Sequence, residues 1–301
     1  MEGWSDRVIT IDKKSGDETV WDNAKKEIAA SNIGVAFIPH RSYRSGKFLK
    51  SIGIPVRIGF DRGGGRKFHT IALPHQIGYY EGRRNLSLLR PFSQELFNEL
   101  PELYINASSR DKIRSLMNGL NLPPAGFIVF APASVWKTKA WPVKHYYSLS
   151  KLLDKNFNLP TVAVGGNVDG ETCSHSVQRP EFNLAGKLSP LESAELMRQS
   201  RFVISGDSAA AHLATSVGAR QVIIFGSTAP RFGFSPFSPN VHLLGMDLGC
   251  RPCTDHGRQK CPLHRTVICL ENITPELVLK TVNDWLALND ETAVNSVDND
   301  E

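Results

Sequence analysis

The chain has 301 residues, of which 41% are hydrophobic and 22% charged, and its formal net charge is +5. This composition is typical of a globular protein of about two domains and excludes a mostly disordered chain. No run approaches the roughly 18 apolar residues that a membrane helix needs, and the first ten residues lack the apolar core of a secretory signal. We therefore expect a cytoplasmic protein.

The first part of the chain predicts short alternating strands and helices. The predicted elements are a strand at 7–11, a helix at 21–30, a strand at 33–38, a helix at 42–50, a strand at 56–60 and a short helix at 95–100. Residues 121–124 read Asn-Leu-Pro-Pro, which is typical of a linker. We expect a first domain over residues 1–124.

The second part of the chain predicts a more regular alternation. Strands are predicted at 126–132, 161–166, 201–205 and 221–225, and helices at 142–156, 189–200, 208–217 and 274–288. Ser189, Pro190 and Glu192 are the residue types of a capping box at a helix start. Alternation of this kind predicts βαβ units, a parallel sheet and helices on both of its faces, in a domain over residues 125–288.

The charge is unevenly distributed along the chain. Residues 41–90 contain eleven Lys and Arg against two acidic residues. Such a field attracts nucleic acid, an acidic membrane surface or a phosphorylated substrate, or is simply a solvated basic face. Residues 289–301 contain five acidic residues and no Lys or Arg, which predicts a disordered tail.

One candidate ligand site follows the strand predicted at 201–205. Residues 206–214 read GDSAAAHLA, a tight turn that opens a helix. A helix N-terminus presents unpaired N–H groups and a positive dipole end, and small residues let a diphosphate approach them. The alternative interpretation is purely structural: Asp207 or Ser208 caps the helix and His212 belongs to the core.

A second candidate site follows the strand predicted at 126–132. Residues 133–142 supply a serine hydroxyl, two lysines and the start of a helix at Pro142, although a solvated basic loop would look the same. Ligands of open α/β sheets bind at the carboxyl ends of the strands. Because two loops at that edge both offer groups that bind anions, together they favour a phosphate site over helix capping and over a solvated basic loop.

Four of the five cysteines form one block in the sequence, Cys250-x2-Cys253-x7-Cys261-x7-Cys269. An odd cysteine count without a signal argues against a disulfide scaffold. The Cys-x2-Cys pair hints at zinc or iron–sulfur, but a structural zinc site usually joins two close pairs, so we favour a loop of thiols with a structural or redox role. Basic neighbours are expected to lower the pKa of these thiols, namely Arg251, Arg258, Lys260 and Arg265.

Several spaced motifs occur in an order that resembles the lipopolysaccharide heptosyltransferases, glycosyltransferase family 9. In the second domain they are KAWP at 139–142, the GDSAAAHLA segment, FGSTAP at 225–230, the cysteine block and ITPE at 273–276. In the first domain they are HRSYRS at 40–45, RIGF at 57–60, and His75 with RNLSLL at 84–89. The resemblance covers about residues 7–288 and implies a GT-B fold, with two facing Rossmann-like domains.

The resemblance also implies an inverting glycosyltransferase that uses no catalytic metal and no cofactor, with ADP-L-glycero-D-manno-heptose as donor. By motif position, the donor-binding residues would be Ser134 and Lys139 at the phosphates, Leu188 near the adenine, Asp207, Ser208 and the backbone of Ala209 at the diphosphate and heptose, and His212 in support of that turn. The family often binds the ribose with an acid after the second strand of this domain. Asn167, Asp169 and Glu171 are all candidates there.

The acceptor implied by the resemblance is a hydroxyl of the lipopolysaccharide inner core, at the cytoplasmic face of the inner membrane. Arg41 and Arg44 are the expected acceptor-side residues. Family members begin with a strand and a Gly-Asp loop that carries the proposed catalytic base. No segment before Arg7 matches that loop, so we expect an incomplete first domain and leave the base unassigned.

Two other functions compete with this interpretation. One is a degenerate or truncated homologue that binds a nucleotide sugar without transferring it. The other is a nucleic-acid-binding protein, suggested by the basic region and the cysteines. Because the sequence contains no recognised nucleic-acid motif, we expect no nucleic-acid partner.

Overall fold

The computed structural model describes residues 7–12, 18–93, 100–235, 238–263 and 266–295. The chain forms two compact units, Met1–Asn98 and Glu99–Glu301. Each unit is built on a parallel β-sheet. The helix predicted at 95–100 falls almost entirely outside the described residues.

The first unit has a sheet of three parallel strands in the order β1-β2-β3. Its described elements are α1 (Glu18–Ala30), β1 (Val35–Ile38), α2 (Tyr43–Ile52), β2 (Val56–Phe60), β3 (Ile71–Leu73) and α3 (Glu81–Leu86). Helix α2 shows why these boundaries arise. The Ser42 hydroxyl accepts a hydrogen bond from Arg44 N, and Gly53 ends the helix in a left-handed conformation at φ 89°.

The structure confirms four of the elements predicted for this unit and changes the rest. Helices α1 and α2 and strands β1 and β2 lie within a few residues of their predicted positions. The strand predicted at 7–11 is wrong, because residues 7–12 pair with no strand and Val8 is 57% exposed. Strand β3 and helix α3 were not predicted, since three and six residues are too few to show a period.

The second unit has five parallel strands in the order β5-β4-β6-β7-β8. Its described strands are β4 (Ile128–Ala131), β5 (Thr161–Ala163), β6 (Phe202–Gly206), β7 (Gln221–Phe225) and β8 (Val241–Gly245). Its described helices are α4 (Ala107–Gly119), α5 (Val143–Phe157), α6 (Gly170–Ser174), α7 (Pro190–Gln199), α8 (Ala209–Ser216), α9 (Ile268–Glu271) and α10 (Pro275–Asn295).

Both faces of this sheet are covered by helices and buried. Val129 packs into one apolar cluster, whereas Ile128 and Phe130, its neighbours on β4, pack into another. Successive side chains of a strand point to opposite faces, so the two clusters lie on the two sides of the sheet. The predicted βαβ series is confirmed, and so is the capping box at α7, in which Glu192 N bonds to the Ser189 hydroxyl and Ser189 N to the Glu192 carboxylate.

Two predicted boundaries differ from the observed ones. The first unit ends at Asn98 rather than at residue 124, because α4 packs on α7 and contributes Ile113 and Met117 to the core of the second unit. Helix α10 continues to Asn295, into the segment predicted as a disordered tail. Residues 289–295 contain neither Gly nor Pro that would stop it.

Within the described residues, no helix combines the length and the apolar character required to cross a membrane.

Candidate functional site

The topology of the second unit creates a crevice at the carboxyl edge of its sheet. Strand β4 is the first strand of this sheet in chain order, and β5 lies on one side of it and β6 on the other. The strand order therefore reverses between β4 and β6, and the loops that leave these two strands diverge there. Crevices of this kind are where open α/β sheets bind ligands. The loops that flank the crevice are residues 132–142 and 207–208.

An ion pair joins these two loops. Lys139 Nζ lies 2.8 Å from Asp207 Oδ2, and the two side chains are only 14% and 7% exposed. Thr228, in the loop after β7, donates a hydrogen bond of 2.7 Å to the same Asp207 oxygen. Three loops from three neighbouring strands therefore meet at one carboxylate. The sequence separately indicated Lys139 and Asp207, but Thr228 was missed.

The start of α8 offers unsatisfied donors beside this ion pair. Ser208 occupies the N-cap position, but its side chain makes no capping hydrogen bond. Its hydroxyl is buried and has no hydrogen-bond partner in the part of the chain that is described. Since the Asp207 carboxylate binds Lys139 and Thr228, the structure supports neither Asp207 nor Ser208 as a side-chain cap. Ala209 is exposed and His212 is half-buried on the same helix.

Two glycines let the lysine-bearing turn pack tightly on the strand ends. A Cβ at Gly206 would lie 2.7 Å from Lys139 O, and a Cβ at Gly226 would lie 2.3 Å from Thr138 O. Any side chain at either position would displace the 3-10 turn Lys137–Lys139. The requirement for glycine here comes from backbone approach, not from a positive φ angle.

A buried tryptophan links two of the motifs that the sequence singled out. Trp141, in the KAWP segment, is 2% exposed, and its Nε1 donates a hydrogen bond of 2.8 Å to Ile273 O, in the ITPE segment. The contact fixes the start of α5 against the segment that opens α10. Both motifs therefore contribute to the scaffold that places Lys139.

Arg251, which the sequence indicated only as a neighbour of the thiols, has a structural role beside the site. Its guanidinium donates to the backbone carbonyls of Phe225, Gly226, Thr228 and Met246. It thereby ties the loop that carries Thr228 to the segment after β8. No local signal could have revealed this, because the acceptors are backbone carbonyls.

Of the remaining predicted donor residues, Ser134 lies on the loop after β4 and Leu188 lies just before α7. Ser134 is half-buried, and its hydroxyl accepts a bond of 3.4 Å from Trp136 N. Leu188 is half-buried against the core cluster of one sheet face. Gly186, just before Leu188, adopts φ 73°, and its N–H donates 2.9 Å to Gly165 O. Leu188 therefore lies close to the loop that leaves β5.

Of the three residues weighed as ribose ligands, two have structural partners. The Asp169 carboxylate accepts a hydrogen bond of 2.8 Å from Gly166 N and closes a turn. Asn167 lies against Gly186, where an added Cβ would be 2.2 Å from its Oδ1. Glu171 is exposed.

In the first unit, basic side chains follow each of the three strands. Arg41 follows β1, Arg62 follows β2 and His75 follows β3. Burial lowers the pKa of His75, and the nearby cations Arg84, Arg41 and Arg62 lower it further. The parallel strands bring these groups to one edge, so this edge is cationic. Arg44 lies in the first turn of α2 and, like Arg41, is exposed.

Arg84 differs from these surface cations because it is 3% exposed. It donates to the carbonyls of Gln76, Ile77 and Tyr79 at 2.9 Å each, and pairs with Glu81. These contacts hold the segment after β3 in place. Arg84 is therefore structural, whereas Arg41 and Arg44 are accessible to a ligand.

The four cysteines of the block line one small cavity of about 20 Å³, together with Thr138 and Ser227. Among the residues that the structure describes, no group of three His, Cys, Asp or Glu side chains is arranged so that it could hold a metal ion. The expectation that basic neighbours lower the thiol pKa is wrong for Cys269. Burial raises its pKa and outweighs the opposing effect of Arg251.

A family model described as glycosyltransferase family 9 (heptosyltransferase) matches residues 24–264. The chain belongs to this family. It is 28% identical over 169 residues to lipooligosaccharide heptosyltransferase 2 of Haemophilus influenzae, which covers 53% of this chain and 47% of that protein. The match thus spans about half of that relative's length.

Two longer matches agree with the family. Lipopolysaccharide heptosyltransferase 1 of Pseudomonas aeruginosa is 22% identical over 280 residues, 86% of this chain and 75% of that protein. The structure of Escherichia coli ADP-heptose lps heptosyltransferase II superposes with a TM-score of 0.69 at 20% identity, over 90% of this chain and 81% of that one. The family-9 chain therefore has the GT-B type of α/β fold that the sequence predicted.

Proposed function

We propose that this chain is an inverting glycosyltransferase that moves heptose from ADP-L-glycero-D-manno-heptose to the inner core of lipopolysaccharide. The observation that carries the proposal is the buried Lys139–Asp207 ion pair, which spans the crevice between β4 and β6 beside the open start of α8. The names of the similar proteins, which refer to ADP-heptose and lipopolysaccharide, support the choice of donor and acceptor.

In this proposal the diphosphate of the donor lies at the start of α8. Lys139, the Ser208 hydroxyl and the first N–H groups of the helix, at Ala209, all supply positive charge or hydrogen-bond donors there. Asp207 holds the Lys139 ammonium group in place, so the cation is oriented before the ligand arrives. Ser134 assists at the phosphates, Leu188 lies near the adenine, and His212 supports the turn.

The proposed reaction is a single displacement at the anomeric carbon of heptose. An acceptor hydroxyl oxygen forms a bond to that carbon while the bond from carbon to the phosphate oxygen breaks, and ADP leaves with the electron pair. The acceptor proton passes to a base that we do not assign to any described residue. Negative charge grows on the leaving phosphate, where Lys139 and α8 stabilise it in advance.

The acceptor side is proposed to be the cationic edge of the first unit. Arg41 and Arg44 are exposed there, and Arg62 and His75 lie at the same edge. Exposed arginines suit a phosphorylated glycolipid at the cytoplasmic face of the inner membrane, because the guanidinium fork pairs with phosphate through two hydrogen bonds. A protein that works in this way is expected in the cytoplasm, at the membrane surface.

Calorimetric titration with ADP tests the donor site, and the chain offers a matched control. Lys137 lies in the same short turn as Lys139 but is exposed. Because charged hydrogen bonds contribute about 1.5–3 kcal/mol, Lys139→Ala should weaken ADP binding by roughly 10- to 100-fold. Lys137→Ala should leave the affinity within about twofold. Equal effects of the two variants would contradict the phosphate assignment.

Turnover is tested separately from binding. The chain is incubated with ADP-heptose and heptose-free lipopolysaccharide, and released ADP is measured. Release that depends on the acceptor supports transfer. Tight ADP binding with no release, under conditions where Lys139→Ala abolishes binding, would instead favour the nucleotide-sugar-binding homologue without transferase activity.

A further inference from the structure

Thr138 has an unusual number of hydrogen bonds for a residue in a short surface turn. It directly precedes Lys139 and is 1% exposed. Its hydroxyl donates 2.9 Å to Arg258 O and accepts from Arg258 N and from the Ser227 hydroxyl, both at 2.8 Å. One donor and two acceptor positions are all that a hydroxyl has, so this one is fully used.

The backbone of Thr138 repeats the same connections. Its N–H donates 3.0 Å to Arg258 O, and its carbonyl accepts 3.1 Å from Ser227 N. Residues 258 and 227 lie on different loops, one in the cysteine segment and one after β7. Thr138 thus fastens the lysine-bearing turn to two loops at once.

The cysteine segment, residues 250–263, also lies over the residues just before Thr138. Gln259 Nε2 donates 2.9 Å to Val135 O. Gly257, at φ 111°, lies so close to Trp136 that an added Cβ would be 2.6 Å from its side chain. Cys253 N donates 3.0 Å to Ser227 O, which completes a ring of contacts around Thr138.

The turn itself has little means of holding Lys139 in place. It is a 3-10 helix of three residues, and it has no side-chain cap. The Lys139 side chain must nevertheless reach Asp207 across the crevice with its ammonium group 2.8 Å from Oδ2. The contacts around Thr138 therefore fix the backbone from which the Lys139 side chain reaches Asp207, in addition to the contacts of Trp141 and the two glycines.

We infer that Thr138 is a positioning residue for Lys139. The cysteine segment, residues 250–263, is the support to which Thr138 is bonded, and we call it the brace. The inference rests on the proposed function, since it assigns Thr138 to the orientation of the phosphate-binding lysine. It also gives the cysteine block a role. The four thiols line the cavity beneath Thr138 and Ser227 and so shape the support of the turn.

A double-mutant cycle on ADP affinity tests this inference. Thr138→Val keeps the shape of the side chain but removes the hydroxyl, and Thr138→Ser restores it. Titrations are run at a temperature where circular dichroism shows every variant folded. We expect Thr138→Val to weaken ADP binding about fivefold to tenfold and Thr138→Ser to stay within about twofold.

The cycle separates positioning from simple stability. If Thr138 acts through Lys139, then Thr138→Val should have no further effect on ADP affinity in the Lys139→Ala background. A lower melting temperature with unchanged affinity, or an equal loss in both backgrounds, would overturn the inference. Loss of affinity in Lys139→Ala without loss in Thr138→Val would leave the proposed function standing and refute only the role of Thr138. No loss in Lys139→Ala would refute both.

Two further variants keep the test decisive if Thr138→Val does not fold. Ser227→Ala removes one bond to the Thr138 hydroxyl without altering the turn, and Gln259→Ala removes the contact with Val135 O from the exposed side of the brace. Each should weaken ADP binding about twofold to threefold, and only when Lys139 is present. Unchanged affinity in both would overturn the bracing role of the cysteine segment.

Discussion

The two units share one pattern of parallel strands and helices but differ in how deeply they bury it. Every residue of β4, β6 and β7 in the second unit is buried. In the first unit β3 is half-buried throughout, and the apolar core centres on Ile58, Phe60 and Leu88. A sheet with both faces buried gives its loops fixed anchor points, and among the described residues the three-stranded sheet of the first unit has a much smaller buried core for that purpose.

The same contrast separates the two groups of candidate ligand residues. Lys139 and Asp207 are a nearly buried pair, held by loops from three strands. Arg41 and Arg44 are exposed side chains near the strand edge of the first unit. A preorganised pair suits a small ligand of fixed geometry such as a diphosphate. Exposed cations suit a larger and more variable anion.

Hydrogen exchange provides the widest comparison of the two units. Amides of β4, β6 and β7 should exchange on the order of a hundredfold or more slowly than those of β1 and β3, because exchange in a deep core requires global opening. Mass spectrometry of peptides from each strand measures this. Equal protection in the two units would show that burial in the static structure does not set their local stability.

Matched core substitutions turn the comparison into free energies of unfolding. Phe130 is 0% exposed in the second unit, and Phe60 is 1% exposed in the first. Phe130→Ala should cost about 4–5 kcal/mol of unfolding free energy, and Phe60→Ala about 3 kcal/mol, since the smaller core around the three-stranded sheet can collapse further into the cavity. Urea unfolding, monitored by hydrogen exchange of peptides from each unit, shows which unit has lost stability in each variant. A larger cost at Phe60 would reverse the comparison.

The buried ion pair should be worth more than a surface pair of the same chemistry. Asp207→Ala leaves the Lys139 ammonium group without its partner and should destabilise the second unit by about 3 kcal/mol, with loss of ADP binding. Asp111 pairs with Arg114 at 3.1 Å, but both are about 70% exposed. Asp111→Ala should cost less than about 0.5 kcal/mol. Similar losses in urea unfolding would mean that solvent screens the Lys139–Asp207 pair.

The smallest expected effect is the acid sensitivity of the two units. Burial lowers the pKa of His69 in the first unit, a backbone hydrogen bond to Phe60 opposes it, and Arg66 and Arg57 lower the pKa further. Burial likewise lowers the pKa of His145 in the second unit, where Glu271 opposes it. Below the ordinary His pKa of about 6.5 the folded state binds fewer protons than the unfolded state, so stability falls as pH falls.

Each unit should therefore lose stability as the pH drops from 7 to 5, because His75 adds to the effect of His69 in the first unit and His242 adds to that of His145 in the second. Glu192 and Glu195, whose pKa values are lowered, stay ionised over that range in both states and do not contribute. His69→Gln should flatten the pH dependence of urea unfolding in the first unit only. An unchanged slope in that variant would assign the acid sensitivity to other groups.

The long periodic elements were predictable because their signals are local. Helices α5 and α7 and strands β4, β6 and β7 carry apolar runs, capping residues and proline stops within a few positions of their ends. Strand β3 carries too few residues to show a pattern, and α4 was not predicted; its packing on α7 assigns it to the second unit. The predicted strand at 7–11 had the right residue types but no neighbour to pair with among the residues described.

The sequence by itself determined the alternation of strands and helices from β4 to β7, the family, and the two loops that carry Lys139 and Asp207, because each of these depends on residues close together in the chain. Only the tertiary structure decided that Lys139 binds Asp207 and Thr228, and that Thr138 is held by Arg258, 120 residues away. Contacts of this kind depend on which strands lie side by side, and that order follows from burial of the whole sheet rather than from any local pattern.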